Sequence, residues 1–395
     1  MLNELITRLM PLGKVEEGTA TDLRQKISGY GLDPEGKSVA QMKKMLAMAM
    51  WAEKHPEKPF PDQYAPMLAH DATKKSSEWM KKTIKSTDWW VQEKYDGIRS
   101  LLIIDNGKVR MQSRTPSQVT YLYGEHQDNF PHFRDMEIPF EGKVVLDGEL
   151  ISPVDEVDTG ATVTGSKLQA VMAMVASKPE KSAKMQKEFG KAIYNTFDIL
   201  YYNGEDVTGL PYEERDEIAN KAVEAIKEAN PEIPIEVAPT IKDFDNVKDI
   251  FKQHVDRGAE GVMLKKRSAP YSLGKRSRDL LKYKREVTVD GWISGSVPSK
   301  ATARENLIGG FEISSNVDGV VQVIAAISGI DDKTREEATV VDNGKPALNP
   351  EFLDRCLEIT GQEWTTHGKI KHARLVQWRP DKVPEDCSIS LKDVK

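Results

Sequence analysis

Lys94-Tyr95-Asp96-Gly97-Ile98-Arg99 closes the apolar run Trp89-Trp90-Val91 and carries the spacing K-x-D-G-x-R. A short apolar run that ends in a lysine reads as a buried strand with the ammonium group at its tip. Such a lysine can be stripped of water and of its proton, as a nucleophilic amine must be. At ordinary residue frequencies the four fixed positions match by chance about once in 10⁵ windows. Taken alone, a strand end before a turn accounts for the same residues, so the surrounding sequence has to decide.

Outward from this strand the pattern stays β-rich. Residues 99–105, then Asn106-Gly107, then 108–113 give a hairpin signal, because Asn-Gly supports a two-residue type I′ turn. Further strands are expected over 144–151, 192–202 and 261–265, and helices over 167–176, 212–229 and 245–257. The polar, Lys-rich stretch 177–190 reads as an exposed, mobile loop. Beyond Glu286 come short strands (287–297, 310–313, 320–327, 373–378) separated by Gly, Ser, Asn and Asp, with one helix near 350–359. That texture suggests a small β-barrel. At the other end, residues 1–62 read as a helical unit closed by the proline-rich His55-Pro56-Glu57-Lys58-Pro59-Phe60-Pro61. Its Met-rich stripe, Val39, Met42, Leu46 and Met50, falls at helical spacing and reads as core.

Composition frames these elements. The 395 residues suffice for two or three domains with real cores. The only two cysteines, Cys356 and Cys387, provide neither a disulfide framework nor a Cys₄ zinc site. With no apolar run near membrane-span length and no signal-peptide pattern, the reading is a cytoplasmic protein with no membrane partner. A net charge of −6 argues weakly against a nucleic-acid partner, but its distribution argues the other way. From Val262 to Arg285 nine Lys or Arg, among them Lys265, Lys275, Arg276 and Arg278, face one acid, Asp279. Interleaved with Leu264, Tyr271, Leu280, Leu281 and Tyr283, they read as a phosphate-contacting surface.

Several softer signals follow. Val145-Leu146-Asp147-Gly148-Glu149-Leu150 puts carboxylates at i and i+2 on one face of a strand. One of them could hold Mg²⁺, which takes few carboxylates plus water and phosphate oxygens. Glu260-Gly261-Val262-Met263-Leu264-Lys265 places an acid and a lysine at opposite ends of an apolar strand. Thr196-Phe197-Asp198-Ile199-Leu200 reads as a core strand with an aromatic in it. Lys282 and Lys284 alternate on a strand and point the same way, an arrangement that a bound triphosphate would relieve. Arg379-Pro380-Asp381-Lys382 follows the strand Val376-Gln377-Trp378 and alone is a polar turn.

In order, Lys94-x-Asp96-Gly97-x-Arg99, Ser113-Arg114, Asp147-Gly148-Glu149-Leu150, Phe197-Asp198-Ile199-Leu200, Glu260 to Lys265, Lys282-x-Lys284 and Arg379-x-Asp381-Lys382 resemble motifs I, Ia, III, IIIa, IV, V and VI of ATP-dependent DNA ligases. These belong to the covalent nucleotidyltransferases. The resemblance covers roughly residues 64 to 385 and implies an α+β chain. Its parts would be an ATP-grasp-like adenylation domain over 63–286, an OB-fold over 287–395 and the helical module 1–62, which loosely resembles a SAP-type DNA-binding unit.

The implied activity is the sealing of nicks in duplex DNA with ATP and Mg²⁺ (Mn²⁺ as a substitute) through a lysine–AMP intermediate on Lys94, by a monomer. By the same resemblance Glu149 and Glu260 would hold the metal, and Arg99 and Arg114 would contact ribose or nick phosphate. Phe197 would stack on adenine and Gln92 would read its amino group. Lys282 and Lys284 would meet the triphosphate, while Arg379, Asp381 and Lys382 would orient pyrophosphate. Lys265, Lys275, Arg276 and Arg278 remain the DNA contacts suggested by the basic run. An RNA ligase, a GTP-using capping enzyme and a catalytically silent nucleic-acid-binding relative stay open as alternatives.

Overall fold

The computed structural model describes residues 20–31, scattered positions from 33 to 50, and then 62–117, 122–160, 163–299, 304–362 and 364–391 without 366 and 367. The chain divides into two compact units, Met1–Lys282 and Tyr283–Lys395. Both mix helices and strands, and no described helix is long and apolar enough to cross a membrane.

In chain order the first strands are β1 (Leu68–Asp71), β2 (Trp89–Lys94), β3 (Ile98–Asp105), β4 (Lys108–Pro116), β5 (Tyr123–Glu125), β6 (Val144–Ile151), β7 (Ile193–Tyr202), β8 (Glu205–Asp206), β9 (Ile235–Val237), β10 (Thr240–Ile241), β11 (Gly261–Lys266) and β12 (Arg276–Lys284). One sheet has the order β1-β12-β11-β2-β10. The other runs β5-β4-β3-β6-β7-β8, with β9 alongside β7. The Asn-Gly turn forms as expected between β3 and β4: Asn106 and Gly107 both have positive φ, +50° and +67°.

The period-2 alternation of the central strands divides their side chains between two cores. Leu102, Ile104, Leu146 and Leu150 pack with Ala170, Val171, Met174, Val223 and Ile226 beneath helices Lys167–Ala176 and Tyr212–Ala229. Leu101, Ile103 and Val145 point to the opposite face, against Met67, Tyr271 and Leu280 of the other sheet's side. Every odd-numbered polar residue at the same strand ends, Arg99, Asp147 and Glu149, is therefore delivered to the seam between the two sheets.

The stretch 177–190 is not a loop. Pro179–Phe189 is a helix with Pro at its first turn, and Ser182, Met185 and Gln186 are buried. Its inward face is largely polar: the Ser182 hydroxyl and the Gln186 amide both donate to the Asn129 carbonyl, at 2.9 and 2.6 Å. A hydrophobic periodicity cannot reveal a face buried through hydrogen bonds. In the N-terminal region Leu23 and Ile27 of helix Ala20–Gly29 pack with Met42 and Leu46, so these members of the Met-rich stripe are core, while Val39 is exposed. The proline-rich segment expected to close this region lies outside the described residues.

The second unit holds β13 (Val287–Pro298), β14 (Ile308–Val317), β15 (Val320–Ile327), β16 (Thr339–Asp342), β17 (Lys345–Leu348), β18 (Cys356–Gly361), β19 (Arg374–Trp378) and β20 (Ser388–Ile389). Its main sheet has the order β15-β14-β13-β18-β19, with β20 parallel to β14, and β16–β17 is a separate hairpin. The helix expected near 350–359 is instead a single 3₁₀ turn, Pro350–Phe352, followed by β18. Pro350 supplies a helix-start signal, but Leu357 and Ile359 belong to the buried core, and β18 pairs along β13. Tertiary pairing outweighs that local signal.

Candidate active site

The site lies in the first unit, where strands from both sheets end. Lys94 is the last residue of β2 and sits opposite Gly261 of β11. Glu260, one residue before β11, is thereby brought beside it, and its carboxylate accepts from the Lys94 ammonium. Gln92 lies two residues back on the same face of β2 and is buried. From the other sheet, Arg99 of β3 stands directly opposite Glu149 of β6, with Asp147 diagonal to it.

Two glycines permit this approach. A Cβ on Gly97 would overlap the Leu150 carbonyl and lie 2.8 Å from Ile151 Cγ2 and 2.9 Å from Glu149 Cγ. A Cβ on Gly148 would stand 2.6 Å from the Tyr194 ring. The turn after Lys94 can thus lie flat on β6, and Lys94, Glu149 and Glu260 share one pocket of charge.

Arg99 is held from several sides. Its guanidinium forks onto Asp147 (Nε–Oδ1 2.9 Å, Nη2–Oδ2 2.5 Å) and donates to the Met67 carbonyl at 2.7 Å. The Tyr271 hydroxyl donates to Asp147 at 2.6 Å and accepts from the Met67 amide at 3.0 Å. Burial works against the Arg99 charge, but Asp147 and the neighbouring Tyr271 hold its pKa above the ordinary value. Phe197 of β7 has the Arg99 guanidinium 5.4 Å from its ring centre and the Lys265 ammonium 5.0 Å from it.

Lys265, expected on the DNA-facing surface, is instead in the wall of the site. It is 6 % exposed, donates to the Phe197 carbonyl and sits 4.4 Å from the Tyr212 ring centre. Burial pushes its pKa down to about 8, against the pull of Asp198. An ammonium so enclosed cannot also meet a DNA phosphate. Lys275, Arg276 and Arg278 are exposed, as a phosphate surface requires. Arg114 on β4 is exposed as well, near Arg99, Glu149 and Arg276.

Glu149 is the electrostatic anomaly. Burial pushes its carboxyl up to about 7; Lys94 and Arg99 pull it down, while Asp147 and Glu260 push it further up. Two cations and two acids thus surround this carboxyl, and burial outweighs the pull of the cations. Among the described residues no group of three or more His, Cys, Asp or Glu is poised to hold a metal. The Glu149–Glu260 pair fits the sparse carboxylate set that Mg²⁺ takes when phosphate oxygens and water complete its shell. Lys282 is paired with Asp71 at 3.4 Å, on neighbouring strands β12 and β1.

Within the second unit, Arg379 and Lys382 converge on Asp290 of β13, at 3.0 and 2.6 Å. Arg379 is also clasped by Asp381 (Nε–Oδ1 2.9 Å, Nη2–Oδ2 2.7 Å). Asp290 was not among the sequence candidates, although it is the one acid in its strand, a signal that could have marked it. Tyr271 and Arg215 were missed as well. Arg215, 2 % exposed, forks onto Asp198 beneath the site (2.8 and 3.0 Å).

A lysine paired with one carboxylate and near a second lies at the seam of two sheets, close to an aromatic ring flanked by Arg99 and Lys265. The chain belongs to the ATP dependent DNA ligase domain family, whose family model matches residues 66–284. Among curated relatives, it is 28% identical over 281 residues to a probable DNA ligase of Koribacter versatilis, covering 64% of this chain and 46% of that protein. It is 26% identical over 322 residues to a DNA ligase of Natronomonas pharaonis, covering 77% and 54%. The chain thus spans about half the length of these relatives, and only 22% of the DNA ligase 4 of Kluyveromyces lactis. Among solved structures, Pmar-Lig_Pre superposes with a TM-score of 0.56 at 20% identity, covering 86% of this chain and 72% of that one. A structure of Lig E DNA ligases gives 0.51 at 18% identity, covering 81% and 100%. Those two likenesses are of fold.

Proposed function

We propose that this protein is an ATP-dependent DNA ligase that seals 5′-phosphate/3′-hydroxyl nicks in duplex DNA. The observation that carries the reading is Lys94 at the strand end, bracketed by Glu260 and Glu149 and followed by a turn that only glycine allows. Family membership and relatives named as DNA ligases support it. In the first step the Lys94 amine forms a bond to the α-phosphorus of ATP and pyrophosphate leaves with the electrons of the broken P–O bond. The 5′-phosphate of the nick then takes AMP from the lysine, and the 3′-hydroxyl displaces AMP to close the strand.

The residues divide this work by their chemistry. Glu260 must release Lys94 for the amine to attack. A divalent cation, Mg²⁺ or Mn²⁺, held by Glu149 and Glu260 would supply neutralisation of phosphate charge. Phe197 offers a face for the adenine ring, and Gln92 an acceptor for its amino group. Arg99 is so fully engaged by Asp147 and Met67 that its part is to fix the ring-binding wall and present a positive field. Arg114, Lys282 and Lys284 would meet phosphate or ribose, and Arg379, Asp381 and Lys382 the departing pyrophosphate. Exposed Lys275, Arg276 and Arg278 would follow the DNA backbone. An OB-fold over 287–395, a DNA-binding role for 1–62, and action as an intracellular monomer complete the reading.

Incubation with labelled ATP or GTP, followed by denaturing electrophoresis, tests it. Label from ATP should stay on the protein through an acid-labile, alkali-stable bond and be absent from Lys94→Ala. Label from GTP instead would mean capping-type chemistry, and no label from either would mean a silent relative. Turnover of a nicked DNA duplex against the same nick in RNA separates DNA ligase from RNA ligase.

A further inference from the structure

Gln92 leaves a polar atom bare in the interior. The residue is 1 % exposed, its amide nitrogen donates to the Ala238 carbonyl at 3.2 Å and to the Thr240 hydroxyl at 2.9 Å, and its oxygen Oε1 has no partner among the described residues. A buried acceptor without a donor costs free energy until a ligand supplies one.

The two ends of an amide have nearly the same shape, so its neighbours must set which way it points. The Ala238 carbonyl can only accept, and it is itself held in place because the Ala238 amide donates to Thr196 of β7 at 2.7 Å. The Thr240 hydroxyl could donate or accept. It stands directly across the strand pair from Gln92, and both acceptors within its reach, Asp216 Oδ1 at 3.1 Å and more distantly the Ala238 carbonyl at 3.4 Å, take its proton away from Gln92. Asp216 is 4 % exposed, with the Lys242 ammonium 3.0 Å away and the Tyr212 hydroxyl at 3.3 Å, the cation and the donor that a buried carboxylate needs. The hydroxyl is left to accept from Gln92. Both amide protons are then committed, and the bare group can only be an acceptor.

We propose that Asp216 and Thr240 are positioning residues for base selection: their hydrogen-bond relay fixes the Gln92 amide so that the site takes a purine with an amino donor at C6 and refuses one with a carbonyl there. The inference rests on the reading that the base of the nucleotide substrate sits against Gln92. Neither Asp216 nor Thr240 touches the base. They act through the amide, whose reversal would set its oxygen against both the Ala238 carbonyl and a hydroxyl already turned away. Sites that make a specific hydrogen bond reject a ligand unable to complete it far more strongly than apolar pockets reject a small change of shape.

The test is competition between ATP and ITP for formation of the covalent lysine–nucleotide, read by mass spectrometry in one tube. A ratio measured this way does not depend on how much of the enzyme is folded. Wild type should favour AMP strongly. Thr240→Val removes one of the two constraints and should lower the AMP-to-IMP ratio by about tenfold, while Thr240→Ser, which keeps the hydroxyl, should restore it. An unchanged ratio in Thr240→Val, or a Thr240→Ser variant as permissive as the valine, would overturn the relay and leave the ligase reading intact. No adduct on wild type from either nucleotide would overturn both.

Discussion

Replacing Glu149 by glutamine should stabilise the ligand-free protein, with an advantage that sets in above about pH 4.5 and is complete near neutrality. Burial is the main cause that lifts this carboxyl from its ordinary 4.5 to about 7. Below the unfolded value both states carry the proton, and the site costs nothing. Between about pH 4.5 and 7 the unfolded chain releases the proton while the folded chain keeps it, so stability falls as pH rises. Above about pH 7 both are ionised and the full penalty is present. At 1.36 kcal/mol per unit the shift corresponds to about 3 kcal/mol; partial solvent access to this half-buried side chain reduces that to roughly 1–3 kcal/mol.

Glutamine cannot ionise, so its advantage over wild type should grow by that amount between about pH 5 and 8. For a unit of this size that is roughly 2–10 °C in melting temperature. The assay is differential scanning calorimetry of both proteins without divalent metal across this range, taking the difference at each pH so that every other titration cancels. A difference flat in pH, or a glutamine variant that loses stability relative to wild type as pH rises, would refute the claim that the site stores the cost of a buried charge. Adding Mg²⁺ at pH 8 should then raise wild type more than the variant, because ligand binding stabilises only the protein that keeps the site.

Three further outcomes are expected. Asp198→Ala strands the buried Arg215 guanidinium and should cost about 3–5 kcal/mol in urea unfolding; a loss below about 1 kcal/mol would mean that water relaxes into the gap. Charge reversal of Arg276 and Arg278 should flatten the dependence of nick affinity on salt, each phosphate contact being worth about −0.9 in the log–log slope, and an unchanged slope would remove β12 from the DNA surface. The double change Arg379→Ala, Lys382→Ala should abolish self-adenylylation yet leave sealing of a pre-adenylylated nick at a useful rate, since pyrophosphate exists only in the first step. Loss of both activities in a folded protein would overturn the leaving-group role.

What the sequence determined by itself is local and periodic. The run before Lys94, the Asn106-Gly107 hairpin and the alternation in β3 and β6 are dictated by strand pleat and turn stereochemistry, so each was legible from neighbours in the chain. The order of the motif residues along the chain carried the family. Where burial comes through hydrogen bonds, as for Ser182 and Gln186 on the Asn129 carbonyl, apolar periodicity was silent and a helix read as a loop. Where pairing with a distant strand outweighs a local start signal, as at β18, a strand read as a helix.

Tertiary structure alone decided what surrounds each charge. It put the Glu260 carboxylate against Lys94, drew Lys265 out of a basic run and into the wall under Phe197, and supplied Tyr271, 124 residues from Asp147, as that carboxylate's donor. A charge's environment depends on groups within a few ångströms in space. Separation along the chain fixes those groups only inside a single turn or strand pair, so pairings of this range become visible only once the two sheets have met.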